Sequence, residues 1–178
     1  MCSSDLRSGS DAYVNILSLP DLYGGKICAM LDRQHPRDIF DTMLLFQNEG
    51  FDEQTRKAFL VYLISHPRPI YELLNPRTKE ISAEYENEFS GMNFDNVAIE
   101  TLLSFRNDSI SSINRSINND EKAFLLSIKA GDPKWHLLGL DHIKDLPAVK
   151  WKIHNIRQMD KGKKALRLKL LDDFLANI

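Results

Sequence analysis

The chain has 178 residues and a formal net charge of -2, with 43% hydrophobic and 27% charged residues, the make-up of one ordinary globular domain rather than of a disordered or basic-coated chain. No apolar run is long enough to cross a bilayer, and the N-terminus lacks the charged-then-apolar pattern of a secretory signal. Two cysteines, Cys2 and Cys28, exclude a disulfide framework and a structural zinc site and fit a reducing, cytoplasmic setting.

Residues 1–11 carry no periodicity and read as a disordered leader. Cys2 to Leu6 also resembles translated sequencing adaptor, which leads to the expectation of a truncated reading frame; an ordinary disordered N-terminus is the alternative. Tyr13–Leu17 is β-branched and aromatic and is predicted as a strand. Ser18 can cap the helix that follows, with Pro20 in its first turn and Leu22, Ile27, Met30 and Leu31 as its apolar stripe. Gly24-Gly25 lies inside that helix at a cost of roughly 1 kcal/mol per glycine against alanine. Either a kink or tight packing explains it, or the backbone there approaches a partner or ligand.

Pro36 opens the next helix, whose apolar side is Ile39, Phe40, Met43, Leu44 and Phe46 and whose end is Gly50. Asp52 caps a third, carrying Phe59, Leu60, Leu63 and Ile64, which His66-Pro67-Arg68-Pro69 breaks. Further helices are predicted from Ser82 to Phe89, from Asn96 to Ile117, from Asp120 to the Gly131-Asp132-Pro133 stop, from Pro147 to Met159 and from Lys163 to Leu175. The expected fold class is mostly α: a helical C-terminal domain over 51–178, preceded over 12–50 by the remnant of an α/β core that supplies the one strand. A lone strand needs partners.

Charge is uneven. Between residues 79 and 108 only Lys79 and Arg106 stand against a run of Glu and Asp, whereas residues 145–178 hold eight basic residues and four acidic ones. Lys150, His154 and Arg157 recur at i, i+4, i+7 on one face of their helix, and Val149, Ile153 and Ile156 on another. Such a face touches RNA phosphates or is merely solvated.

The densest chemistry lies between Ser18 and Asp41. Lys26 is followed by Arg33, Arg37, Asp38 and Asp41, and Asp38 and Asp41, at i and i+3, are neighbours on a helix. Cations that hold phosphate oxygens beside a carboxylate that orients or deprotonates a hydroxyl suit phosphoryl chemistry. The same residues also suit a structural ion-pair network, with Arg37 and Asp38 near a helix start and Asp41 turned back to Arg33 or Lys26.

Ser18-Leu19-Pro20-Asp21-Leu22-Tyr23-Gly24-Gly25-Lys26, followed by Arg37-Asp38-Ile39-Phe40-Asp41, resembles the second half of the motif set of the AbiEii/AbiGii toxin nucleotidyltransferases: a leucine-rich stretch ending in lysine, then Arg-Asp-x-x-Asp. Ala58–Leu63, Arg68-Pro69-Ile70 and Leu146–Lys152 extend the resemblance downstream. It implies a nucleotidyltransferase fold with a helical C-terminal domain, transfer of a nucleoside monophosphate from a nucleoside triphosphate to an acceptor such as tRNA, and an antitoxin partner in a phage-defence operon. It implies catalytic roles for Lys26, Asp38 and Asp41, with either aspartate as the key carboxylate, and nucleotide binding by Lys26, Arg33 and Arg37.

The family's magnesium is held by a Gly-Ser turn followed by Asp-x-Asp on a strand. This sequence has none: Gly9-Ser10 and Asp11 lack the spacing and the second aspartate. The expectation is therefore that the parent uses Mg2+, that no metal ligand is present here, and that this chain alone is inactive. Two alternatives belong to other classes: a standalone helical RNA- or antitoxin-binding module working through Lys150, His154 and Arg157, and a relic of a broken gene.

Overall fold

The computed structural model describes residues 17–91 and 97–178, and among these there are helices and no strand. The mostly α expectation holds. The predicted strand falls on residues 13–16, which lie outside the described residues, and on Leu17, which is irregular; the leader over 1–11 also lies outside.

Local capping chemistry sets the first helices. α1 (Leu19–Arg33) begins where the Ser18 hydroxyl accepts from the Asp21 amide, with Pro20 in its first turn, and ends at Gln34, held left-handed at φ 54°. The turn is short because His35 starts the next helix at once: its Nδ1 accepts from the Arg37 amide and Pro36 opens α2 (Pro36–Asn48). Asp52 caps α3 (Glu53–Ser65) through the Thr55 amide, and that hydrogen bond holds its carboxyl below the usual carboxylate range.

α1 lies against α3, and Gly24 permits it. A Cβ at this position would sit 2.7 Å from the carbonyl carbon of Ala58 and 2.7 Å from the amide nitrogen of Phe59. A Cβ at Gly25 would lie 3.4 Å from the Tyr62 ring. The glycine pair therefore serves tight helix packing inside the chain. Because α1 sinks into α3, Ile27, Cys28, Met30 and Leu31 are buried, whereas Leu22 and Leu44, expected in apolar stripes, are exposed.

The remaining elements close over this pair. The Pro-rich break after α3 leads into α4 (Ile70–Leu74), a five-residue helix not expected from the sequence, whose Ile70, Leu73 and Leu74 are all buried. The helix expected over 82–89 is divided: α5 (Ser82–Glu84) passes into a π-helical turn, Tyr85–Phe89. α6 (Ile99–Ser116) follows. α7 (Asn119–Ala130) starts slightly before the expected Asp120, because Asn118 and Glu121 form a reciprocal capping box, and stops at Gly131, φ 80°. Two short 3-10 turns, Trp135–Leu137 and Asp141–Asp145, lead to α8 (Pro147–Arg157), and Asp160 caps α9 (Lys161–Leu175).

One apolar cluster draws on α1, α2, α3, α4, α6, α7, α8 and α9. Glu121 also anchors α7 to α3: its carboxylate, 2% exposed, accepts from Arg56 Nε at 3.0 Å while completing the capping box.

Candidate functional site

The α1–α2 hairpin brings together most of the residues singled out by sequence. Because α2 doubles back on α1 after only Gln34 and His35, residues far apart in sequence face each other across the two helices. Lys26 Nζ donates to Asp41 Oδ2 at 2.5 Å, and Arg33 Nη2 donates to Asp38 Oδ1 at 2.6 Å. The Lys26–Asp41 pair is one that the network alternative anticipated; the Arg33–Asp38 pair is not, since Asp38 was expected beside Arg37.

The two pairs are not equivalent. Lys26 and Asp41 are 38% and 41% exposed, so water screens them and the pair adds about 0.2–1 kcal/mol. Asp38 is only 14% exposed, and its Oδ2 is buried with no hydrogen-bond partner. Leaving such an oxygen unsatisfied costs about 1–3 kcal/mol. It is an acceptor held ready without a donor.

Arg37 turns to another element. Its Nε and Nη2 donate to the Glu88 carbonyl at 3.2 and 2.8 Å, at the end of the π-helical turn, and the Glu88 carboxylate lies 3.2 Å from His35 Nε2. Arg37 thus ties α2 to residues 85–89, while Lys26, Asp41, Arg33 and Asp38 line the hairpin.

The resemblance implies a divalent metal, and this donor set does not fit one. Both aspartates of the hairpin already hold a cation, and among the described residues no three His, Cys, Asp or Glu side chains gather into a possible metal site.

The three residues marked on α8 do share an exposed face, with Val149, Ile153 and Ile156 buried beneath. Their charge is partly engaged. Lys150 pairs with Asp145 at 3.0 Å, and Arg157 Nε donates to the Gly131 carbonyl at 3.0 Å. The His154 ring lies parallel to Trp151, which is 66% exposed.

Sequence reasoning missed a second group of cations. Lys129 occupies the i+4 position from Leu125 on the buried stripe of α7 and is only 4% exposed. That spacing was the available signal. Lys152, also part-buried, donates to the His66 and Arg68 carbonyls at the end of α3, and burial brings its pKa down to about 8. Lys129 and Arg167 push it the same way.

Lys26 and the Arg-Asp-x-x-Asp motif thus stand together on one helical hairpin. The chain belongs to the family of nucleotidyl transferase AbiEii toxins of type IV toxin–antitoxin systems, whose model matches residues 3–155. Membership implies nucleotidyl transfer, a nucleoside triphosphate substrate and an antitoxin partner. No curated protein and no solved structure matches the chain. Among the described residues no helix is long and apolar enough to cross a membrane.

Proposed function

We propose that this chain is the phosphate-facing helical part of a cytoplasmic nucleotidyltransferase that moves a nucleoside monophosphate from a nucleoside triphosphate to the end of an RNA, with tRNA as the acceptor and a cognate antitoxin as its regulator. In that reaction the acceptor hydroxyl attacks the α-phosphorus, the bond to the bridging oxygen breaks, and pyrophosphate leaves. Lys26 holds the triphosphate, and Arg33 and Arg37 orient the nucleotide and the helix beneath it.

The observation that carries this reading is the pair of lysine– and arginine–aspartate contacts across one hairpin. A polyphosphate arriving at Lys26 replaces the Asp41 carboxylate as its partner and leaves Asp41 free to meet the hydroxyl proton. The buried, unpartnered Oδ2 of Asp38 supports that aspartate as the second acceptor. Magnesium is the proposed metal of the activity. The 178 residues contain no Asp-x-Asp to hold it, so the chain alone transfers no nucleotide.

The test is to incubate the purified chain with each labelled nucleoside triphosphate, magnesium and tRNA. No label is expected on the RNA, and magnesium-dependent labelling would overturn the inactivity. Nucleoside triphosphate binding is expected to weaken in Lys26→Met and to tighten in Asp41→Asn; affinities unmoved by both changes would remove the assigned roles.

A second reading rests on the exposed Trp151–His154 stack beside Lys150 and Arg157. A base stacks on the indole while the cations meet backbone phosphates, which makes α8 an RNA-binding surface. Salt-sensitive tRNA binding lost in Trp151→Ala supports it, and salt-independent binding excludes it.

A further inference from the structure

A cleft of about 800 Å³ opens between α4, the segment after it, α7 and α9. Its position is fixed by named contacts. Gln34 donates through Nε2 to the Arg77 carbonyl at 2.8 Å and accepts through Oε1 from the Lys79 amide at 3.0 Å, so the end of α1 clamps the chain that carries both cations. Arg106 Nη1 donates to the Lys79 carbonyl at 2.8 Å from the far side. None of Lys26, Arg33, Arg37, Asp38 and Asp41 lines this cleft.

Its charge is one-sided. Arg68, Arg77, Lys79, Lys129, Lys163 and Arg167 line it, and Glu72 is its single carboxylate. Some of these are engaged: Arg68 pairs with Asp32 at 2.7 Å, and Lys79 Nζ donates to the last carbonyls of α1. Lys129 is different. It is 4% exposed, lines the cleft, and has neither a hydrogen bond nor an ion pair among the described residues. Arg167 on α9 lines the same cleft and is likewise without a partner there. Both also line a smaller cavity of about 300 Å³ beside Lys152.

The Lys129 side chain is buried along its length, Glu72 is the one carboxylate of the cleft that acts on its charge, and the surrounding cations outnumber it, so the lining suits an arriving anion. Burial and the nearby Arg167 and Lys164 press the Lys129 pKa downward, against Glu72, which raises it. Part of the lining is apolar: Tyr71, Leu166 and Leu170 belong to it, and the two leucines are 60% and 41% exposed. The size is that of a small-molecule site. A single phosphodiester of an RNA backbone would meet few of these cations, and a duplex could not reach Lys129 at the bottom.

We propose that this cleft is a second anion site, separate from the Lys26 hairpin, for a compact run of linked phosphates: pyrophosphate, or the polyphosphate of a nucleotide whose base lies on Tyr71, Leu166 and Leu170. Lys129 and Arg167 are the central ligands of the phosphates. Lys163 and Arg167 lie beyond residue 155, where the family match ends, so the site is partly built from sequence outside that match.

Titration calorimetry of the whole chain with sodium pyrophosphate and with ATP, at constant ionic strength, tests this. Both are expected to bind, and Lys129→Met and Arg167→Gln are each expected to weaken binding at least tenfold. ATP binding that responds to Lys26→Met and Asp41→Asn belongs to the hairpin, whereas pyrophosphate binding that falls in Lys129→Met and Arg167→Gln belongs to the cleft, so the two readings fail separately. ATP binding tighter than pyrophosphate identifies a nucleotide as the ligand, and equal binding identifies the phosphates alone. Because Lys129 is buried, thermal melting accompanies each variant: pyrophosphate is expected to raise the melting temperature of the unmodified chain and not that of a folded Lys129→Met. Absence of binding at millimolar pyrophosphate overturns the proposal. So does binding that sulfate at equal ionic strength matches, or that both cleft variants retain, or that only single-stranded RNA shows while pyrophosphate fails to compete.

Discussion

The α1–α2 hairpin and the α4–α7–α9 cleft handle charge in opposite ways. In the hairpin, Lys26 meets Asp41 and Arg33 meets Asp38, so each of these cations has its acid on the facing helix. In the cleft, cations from several elements face a single carboxylate, and Lys129 is buried among them with no partner among the described residues. Matched charges near water cost little and contribute little. Unmatched charges in the interior work against folding, so their retention points to a ligand. The contrast separates charges that serve the fold from charges that work against it.

The largest expected effect comes from breaking a matched, buried pair. Glu121→Ala strands Arg56 and removes the capping box of α7, and a loss of about 3–5 kcal/mol is expected in urea unfolding. Lys129→Met, at a comparably buried but unmatched position, is expected to leave stability unchanged or to raise it. Equal losses from the two variants would erase the distinction.

Next is Gly24→Ala. The new methyl would meet the α3 backbone at 2.7 Å, and neither helix backbone can give way as a side chain could. A loss of about 1–3 kcal/mol is expected from overpacking, despite the gain of roughly 1 kcal/mol in helix propensity. A stability equal to the parent's would show that α1 and α3 are not held this closely, and with them the hairpin.

Smaller still is the exposed pair. Lys26→Met and Asp41→Asn are each expected to change stability by less than about 1 kcal/mol, while altering nucleotide affinity in opposite directions. A large stability loss in either would make the pair a structural element rather than a site.

The subtlest test is pH. Burial holds the Lys152 pKa near 8, below its ordinary 10.5, so the folded chain releases this proton before the unfolded chain does. Stability therefore rises as pH climbs from 8 toward 10.5. Burial and Asp32 raise the Cys28 thiol from 9.0 to about 12, so above pH 9 the unfolded chain loses that proton first and stability falls. The two oppose each other above pH 9. Denaturant midpoints are expected to rise from pH 8 to 9 and then level, and in Cys28→Ala the rise is expected to continue. A decline from pH 8 upward in Cys28→Ala would contradict the assignment to Lys152.

Much of the helical order was legible because caps are local. Ser18, Pro20, Pro36, Asp52, Gly131 and Pro147 all mark helix ends within a residue or two of where they were read. α4 was not legible: five residues between prolines and asparagine carry no full helical period, and only burial of Ile70, Leu73 and Leu74 holds them helical. Leu22 on α1 and Leu44 on α2 fit periodic stripes yet are exposed, because the neighbouring helices cover only part of each stripe's width. At the candidate site, the sequence offered Lys26, Arg33, Arg37, Asp38 and Asp41 as either a phosphate site or an ion-pair network. Folding supplied the partners, and it sent Arg37 to the Glu88 carbonyl instead of to the hairpin.

By itself, the sequence determined the helical class, the helix ends and the lysine and Arg-Asp-x-x-Asp motif, because caps, periodicity and motif spacing act over a few residues. Only the tertiary structure decided that Gly24 serves an interhelical contact, that the motif's aspartates already hold cations, and that Lys129, Arg167 and Arg77 converge on one cleft. Those outcomes depend on which helices meet and at what distance. Contacts between residues distant in the chain leave no periodic mark along it, so only folding brings them into view.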